Sequence, residues 1–165
     1  MRAWWLPAAV ALALPAAAGA QTSPPDQTPP QQTPQTLFTS LIVNDPRTSA
    51  DVRGLLTSGA AFVGARPQFA DLTGDGRMDA VAQVRIPGAA GSIAVYAFST
   101  DGTTDGRLRA ILRSQALYRA TVAVAPGALL ITVPRYRKGD DVCCPAARSE
   151  RRYGWDAKKK RMRRR

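Results

Sequence analysis

The chain has no histidine. Histidine is the side chain whose charge changes near neutral pH, so hydrolytic triads, histidine-assisted thiol chemistry and histidine-ligated zinc are excluded together. A G-x-S-x-G elbow, a phosphate-binding glycine loop and a dinucleotide fingerprint are also missing. The sequence therefore predicts no enzyme; a hydrolase working through paired carboxylates is the distant alternative. Cysteine is nearly absent, with Cys143 and Cys144 the only two. Adjacent residues cannot close a long loop, so a disulfide framework is excluded. Their α-carbons lie about 3.8 Å apart across a trans peptide, below the usual disulfide range of roughly 4.4 to 6.8 Å. A bond between them would be a strained eight-membered ring, which oxidation outside a cell nevertheless favours. The pair is read as a vicinal disulfide, with free thiols or an intermolecular bridge as the alternatives.

Long apolar runs are lacking after the first 20 residues. Met1 to Ala20 opens with Arg2, continues through apolar Ala3 to Leu14 and closes on Ala18-Gly19-Ala20, the small-x-small pattern of a signal peptide. Pro7 and Pro15 break the run, which falls short of the roughly 20 residues a spanning helix needs. Cleavage before Gln21 is expected, and the residue at that point is glutamine where a lipid-accepting cysteine would stand. The product is expected to be soluble and either periplasmic or secreted. Residues 21–36 contain only Gln, Thr, Ser, Pro and one Asp, a composition with nothing to bury, and read as a disordered spacer. Residues 37–157 are then the size of one domain with one core.

The formal charge of +11 is unevenly placed. Lys158, Lys159, Lys160, Arg161, Arg163, Arg164 and Arg165 hold seven of the 23 cations within residues 158–165, read as a basic C-terminal tail. Such a block can hold anionic lipid, lipopolysaccharide or another polyanion by counterion release. No aromatic residue that would stack on bases follows Trp155, so no specific nucleic-acid recognition is expected.

Periodicity supplies the fold. Ser49 is an N-cap candidate before Val52, Leu55 and Leu56, the i, i+3, i+4 face of a helix that Gly59 would end. From residue 79 the period changes to two. Residues 80–86 and 92–98 flank the glycine-rich Pro87 to Gly91 as a first hairpin. Leu108, Ala110 and Leu112 predict a further strand with one wet face. Residues 122–124 and 129–133 flank Pro126-Gly127 as a second hairpin, and 151–155 with 160–163 form a third around Asp156-Ala157-Lys158. The expected class is α+β: a mainly antiparallel sheet of about five to seven strands with one short helix packed on it.

Asp71-Leu72-Thr73-Gly74-Asp75-Gly76-Arg77-Met78-Asp79 carries the most chemistry. Asp71, Thr73, Asp75 and Asp79 put oxygens at alternate positions around the Gly76 turn, and the Arg77 carbonyl adds another, a ligand set suited to calcium. An EF-hand needs a bidentate glutamate at the twelfth position, where this chain has Ala82, so only a shorter cage is available. Asp-Gly turns also occur for backbone reasons alone.

The segment Phe69 to Val81 resembles the aspartate-rich loop and strand of FG-GAP and VCBS-type extracellular repeats, which implies calcium there. More broadly, that loop, the glycine-broken hairpin, Pro134-Arg135-Tyr136-Arg137-Lys138-Gly139-Asp140-Asp141-Val142-Cys143-Cys144-Pro145 and the Arg-Tyr-x-Trp ending are similar to small bacterial secreted proteins and lipoproteins of the LppP/LprE type. The likeness covers most of Phe62 to Trp155 and implies a fold and an envelope location, not an activity. The chain departs from that pattern at Asp141, where proline is usual, at Ala146, where serine is usual, and in its cationic end. These features predict an exported, non-catalytic cell-envelope binding or structural module with an envelope component as its partner, and leave calcium or a plain turn as the two readings of the 71–79 loop. The alternative is association with anionic envelope polymers or lipids through the basic end.

Overall fold

The computed structural model describes residues 32–88, 91–101, 103 and 105–165. The expected signal peptide at 1–20, and the spacer as far as residue 31, lie outside the described residues. Two helices come first among the described residues, α1 (Pro34–Asn44) and α2 (Ala50–Thr57). Nine strands follow: β1 (Phe62–Val63), β2 (Gln68–Ala70), β3 (Asp79–Arg85), β4 (Ala94–Ser99), β5 (Arg109–Ser114), β6 (Thr121–Ala125), β7 (Ala128–Arg135), β8 (Ala147–Asp156) and β9 (Arg161–Arg164). Every strand pair is antiparallel. No helix among the described residues is long and apolar enough to cross a membrane.

The expected α+β class stands, but the single sheet of five to seven strands is replaced by two sheets and the single helix by two. The first sheet runs β1-β3-β4-β5, with β2 sharing the β1 edge of β3; the second runs β6-β7-β8-β9. The reason lies in β3 and β4. Ala80, Ala82, Val84, Ala94, Tyr96 and Phe98 pack under the helices with Phe38, Ile42, Val52 and Leu56. Val81, Val95 and Ala97 instead pack toward the second sheet with Leu72, Ile111, Leu129, Ile131 and Met162. Both faces of the first sheet are thus covered, which is why all six residues of β4 are buried. The result is three layers: helices, first sheet, second sheet.

Local signals set the boundaries. Thr33 caps α1 by accepting from the Thr36 N–H at 3.2 Å, and Pro34 occupies the first turn, where its missing N–H costs nothing. The last four residues of the expected spacer, Thr33 to Thr36, therefore belong to the first helix and its cap. Ser49 caps α2 as its position predicts, and Gly59 follows the helix at φ 76°. All three expected hairpins form. The third alters the domain plan most. Residues 158–165 are not a tail outside the domain, since β9 pairs with β8, Met162 is buried in the second core, and the Arg165 N–H donates to the Arg152 carbonyl at 2.9 Å. One apolar side chain between cations is enough to seat that strand.

Candidate functional site

A cationic cleft opens between β5, the edge of the first sheet, and β9, the edge of the second. Its lining contains Arg47, Arg109, Arg113, Lys159, Lys160, Arg161, Arg163 and Arg164, with no carboxylate, around about 870 Å³. These residues arrive from three places: the α1–α2 link, β5, and the β8–β9 turn with β9.

Each contribution has a local cause. At β5 a bulge shifts the register, so that Ala97 faces Leu112 but Phe98 faces Ala110. The extra residue places Arg109 and Arg113 on opposite faces of the same edge, although their spacing alone would put them on one. Arg113 thereby reaches the helical layer, where its Nε lies 2.6 Å from the Asp45 carboxylate. Arg109 reaches the second sheet and donates to the Lys160 carbonyl at 3.0 Å and the Asp101 carbonyl at 3.1 Å, bridging the two sheets. Arg47 is held by its backbone: its N–H donates to Asp45 Oδ1 at 2.9 Å and its carbonyl accepts from Gln115 Nε2 at 3.1 Å. Gln115 is fixed in turn by the Ser49 N–H and by the buried Tyr96 hydroxyl, which donate to its Oε1 at 2.7 and 3.0 Å. Burial pushes the Tyr96 phenol above its ordinary pKa, with the Asp45 charge adding to the rise, so the hydroxyl keeps its proton for that bond.

At the far wall, the β8–β9 turn closes on Asp156. Its Oδ1 accepts from the Lys159 N–H at 3.1 Å and its Oδ2 lies 3.4 Å from Arg163. The Lys159 amide and the Arg163 guanidinium hold the Asp156 carboxyl below its usual range. Lys160 pairs with Asp101 at 3.3 Å. Three of the eight cations are thus matched by carboxylates, and Arg47, Arg109, Lys159, Arg161 and Arg164 take part in none of the ion pairs among the described residues. Their repulsion is tolerated because the cleft is open to water.

The sequence located only part of this site. Lys158 and Arg165 lie outside the cleft lining; the Arg165 guanidinium lies across Gly154. Sequence spacing does not group Arg47, Arg109 and Arg113 with residues 159–164, because only tertiary pairing of distant edges brings them together. The alternation of Arg109 and Arg113 with apolar residues was the available signal, and it read simply as a wet strand face.

The carboxylate loop has a different geometry. Asp71 accepts from the Gly74 N–H at 2.6 Å and from the Gly76 N–H at 3.0 Å. Asp75 accepts from the Arg77 N–H at 2.8 Å. Asp79, buried at the start of β3, accepts from the Leu72 and Thr73 N–H groups at 2.8 and 3.0 Å. The carboxylates therefore hold the loop's own amides, and no three carboxylate or thiol residues converge on one point among the described residues. Thr73 Oγ1 is buried without a hydrogen-bond partner. Desolvation raises the Asp71 pKa, but the Gly74, Gly76, Asp75 and Thr73 amides together carry it below its ordinary value. A lowered folded-state pKa contributes stability above the unfolded pKa that is lost as pH falls through the folded one. Urea unfolding across an acid series should show Asp71→Asn less stable than the parent at neutral pH, with the gap closing in the acid limb. A gap independent of pH would refute the charge-based account of this turn.

Cys143 and Cys144 are both exposed and present as free thiols. Comparison with family models, curated proteins and solved structures finds no match to this chain.

Proposed function

We propose that this chain is a non-catalytic module that binds a linear polyanion of the cell envelope in the β5–β9 cleft. The observation that carries the reading is the convergence of five cations free of ion pairs, drawn from three separate segments, on one concave surface without a carboxylate. Guanidinium groups suit this role, since a planar fork can donate two parallel hydrogen bonds to phosphate or carboxylate. A recessed groove favours a flexible chain over the flat surface of a lipid bilayer, and Tyr153 alone among the lining residues is aromatic, which disfavours base stacking. Action outside the cytoplasm belongs to the same proposal and rests on the signal-like Met1 to Ala20, as does kinship with the LppP/LprE-type proteins, which rests on the motifs quoted above.

Titration with linear polyphosphate tests this. Five phosphate contacts correspond to a slope of log affinity on log salt of about −3.5, so affinity should fall roughly a hundredfold between about 0.05 and 0.2 M salt. Neutral dextran should not bind. Equal affinity for dextran, or binding insensitive to salt, would eliminate the cleft as a polyanion site, and preference for anionic vesicles over polyphosphate would redirect it to membranes.

A second reading keeps calcium at the Asp71–Asp79 loop, and the buried, unpartnered Thr73 hydroxyl favours it. An ion there would use carboxylate lone pairs left over from the amide contacts, with the Arg77 carbonyl. For a dissociation constant near 0.1 mM, about 1 mM calcium would add roughly 1.4 kcal/mol. The melting temperature should then rise by several degrees over that in chelator, and Asp75→Ala should remove the increment. Identical melting curves in calcium and chelator would leave the loop as a turn only.

A further inference from the structure

The two thiols stand in unequal surroundings. Cys143 lines a pocket of about 210 Å³ together with Arg119, Thr121, Thr132, Tyr136 and Arg148, whereas Cys144 is absent from that lining. No carboxylate lines the pocket. Its walls are fixed on both sides. The Tyr136 hydroxyl donates to the Val142 carbonyl at 2.9 Å, and Asp140 Oδ2 accepts from the Arg137 and Ala146 N–H groups at 2.7 and 2.8 Å, closing the segment that carries the cysteines. Opposite them, Gly91 abuts the Arg119 backbone so closely that an added Cβ would lie 2.6 Å from the Arg119 carbonyl oxygen. The Ser92–Ala120 bridge ties these neighbours together.

We infer that this pocket is a docking site for a small anionic disulfide, whose carboxylates meet Arg119 and Arg148 while Cys143 exchanges with its sulfurs. Cys143 attacks as the thiolate; the S–S bond of the small molecule breaks, and one half leaves as a thiolate while the other stays on Cys143. Cys144 then loses its proton and attacks the Cys143 sulfur, expelling the second half and closing the Cys143–Cys144 bond. Across both steps the cysteines give up two electrons and two protons, and the small disulfide becomes two thiols. Cys143 acts first because it alone of the two lines the cationic pocket, and the thiolate is the attacking form.

Reduced full-length protein treated separately with oxidised glutathione, which is anionic, and with cystamine, a cationic disulfide, tests the charge selection. At low salt glutathione should react at least about tenfold faster. High salt, or Arg119→Gln with Arg148→Gln, should close the gap. Cys144→Ser should accumulate one glutathionyl group, mapped to Cys143, and Cys143→Ser should lose the preference for the anionic reagent. Equal rates with both reagents in the parent protein, or first labelling at Cys144, would overturn the assignment.

Discussion

Replacing Arg47, Arg161 and Arg164 together with glutamine is expected to lower polyphosphate affinity roughly a hundredfold at about 0.1 M salt, with the salt slope falling from about −3.5 to about −1.4. Each lost contact forgoes release of about 0.7 of a counterion, a factor near five at that ionic strength. The three side chains belong to none of the ion pairs among the described residues, so folding should survive their loss, and an unchanged melting temperature would show it. Arg47 is the informative member. It lies more than a hundred residues from β9 in sequence yet lines the same cleft. Arg47→Gln alone should remove about a third of the slope change. If it removes none while Arg161→Gln and Arg164→Gln act fully, binding belongs to β9 and its turn, not to the cleft.

That contrast marks where sequence reading succeeds and stops. Ser49, Gly59 and Pro126-Gly127 act through their nearest neighbours, so the helix cap, its end and the hairpin turn follow from local residue types. The first turn of α1 carried an equally local signal in Thr33-Pro34, but it lay inside a stretch whose composition suggested disorder. Phe38 and Ile42, one helical turn apart, are buried in a core shared with β3 and β4, and Phe38 meets the Phe98 ring from sixty residues later in the chain. Ala80-Val81-Ala82 and Ala94 to Phe98 are nearly continuous apolar runs, the pattern of strands covered on both faces, and alternation within them was a poor guide to sheet number. The cleft was illegible for a stricter reason. Its walls meet only because two separate sheets place their edge strands side by side, and the β5 bulge that separates Arg109 from Arg113 leaves no mark in residue type. The spacing of Asp71, Asp75 and Asp79 points to oxygens gathered around a turn, but it does not distinguish an ion from the loop's own amides as what they hold.

Asp79→Ala is expected to cost about 3 to 5 kcal/mol and to lower the melting temperature by roughly 10 to 20 °C. Asp79 is 1% exposed, and one of its oxygens accepts from both Leu72 and Thr73 N–H groups. Hydrogen bonds to a charged acceptor are worth about 1.5 to 3 kcal/mol each, and alanine would leave the buried Leu72 amide without that acceptor. The consequence extends beyond the loop. Leu72 is completely buried in the core between the two sheets, and the adjacent Asp71 carbonyl accepts from the Gly127 N–H at 2.7 Å, in the turn between β6 and β7. Loosening Asp79 therefore releases a clasp that joins the first sheet to the second. Asp79→Asn keeps one acceptor oxygen and should retain part of the stability. The measurement belongs in chelator, where calcium cannot substitute for a missing contact. If Asp79→Ala then melts with the parent protein, the amide bonds do not hold the sheets together. If the loss appears only when calcium is present, the carboxylate serves the ion instead of the backbone.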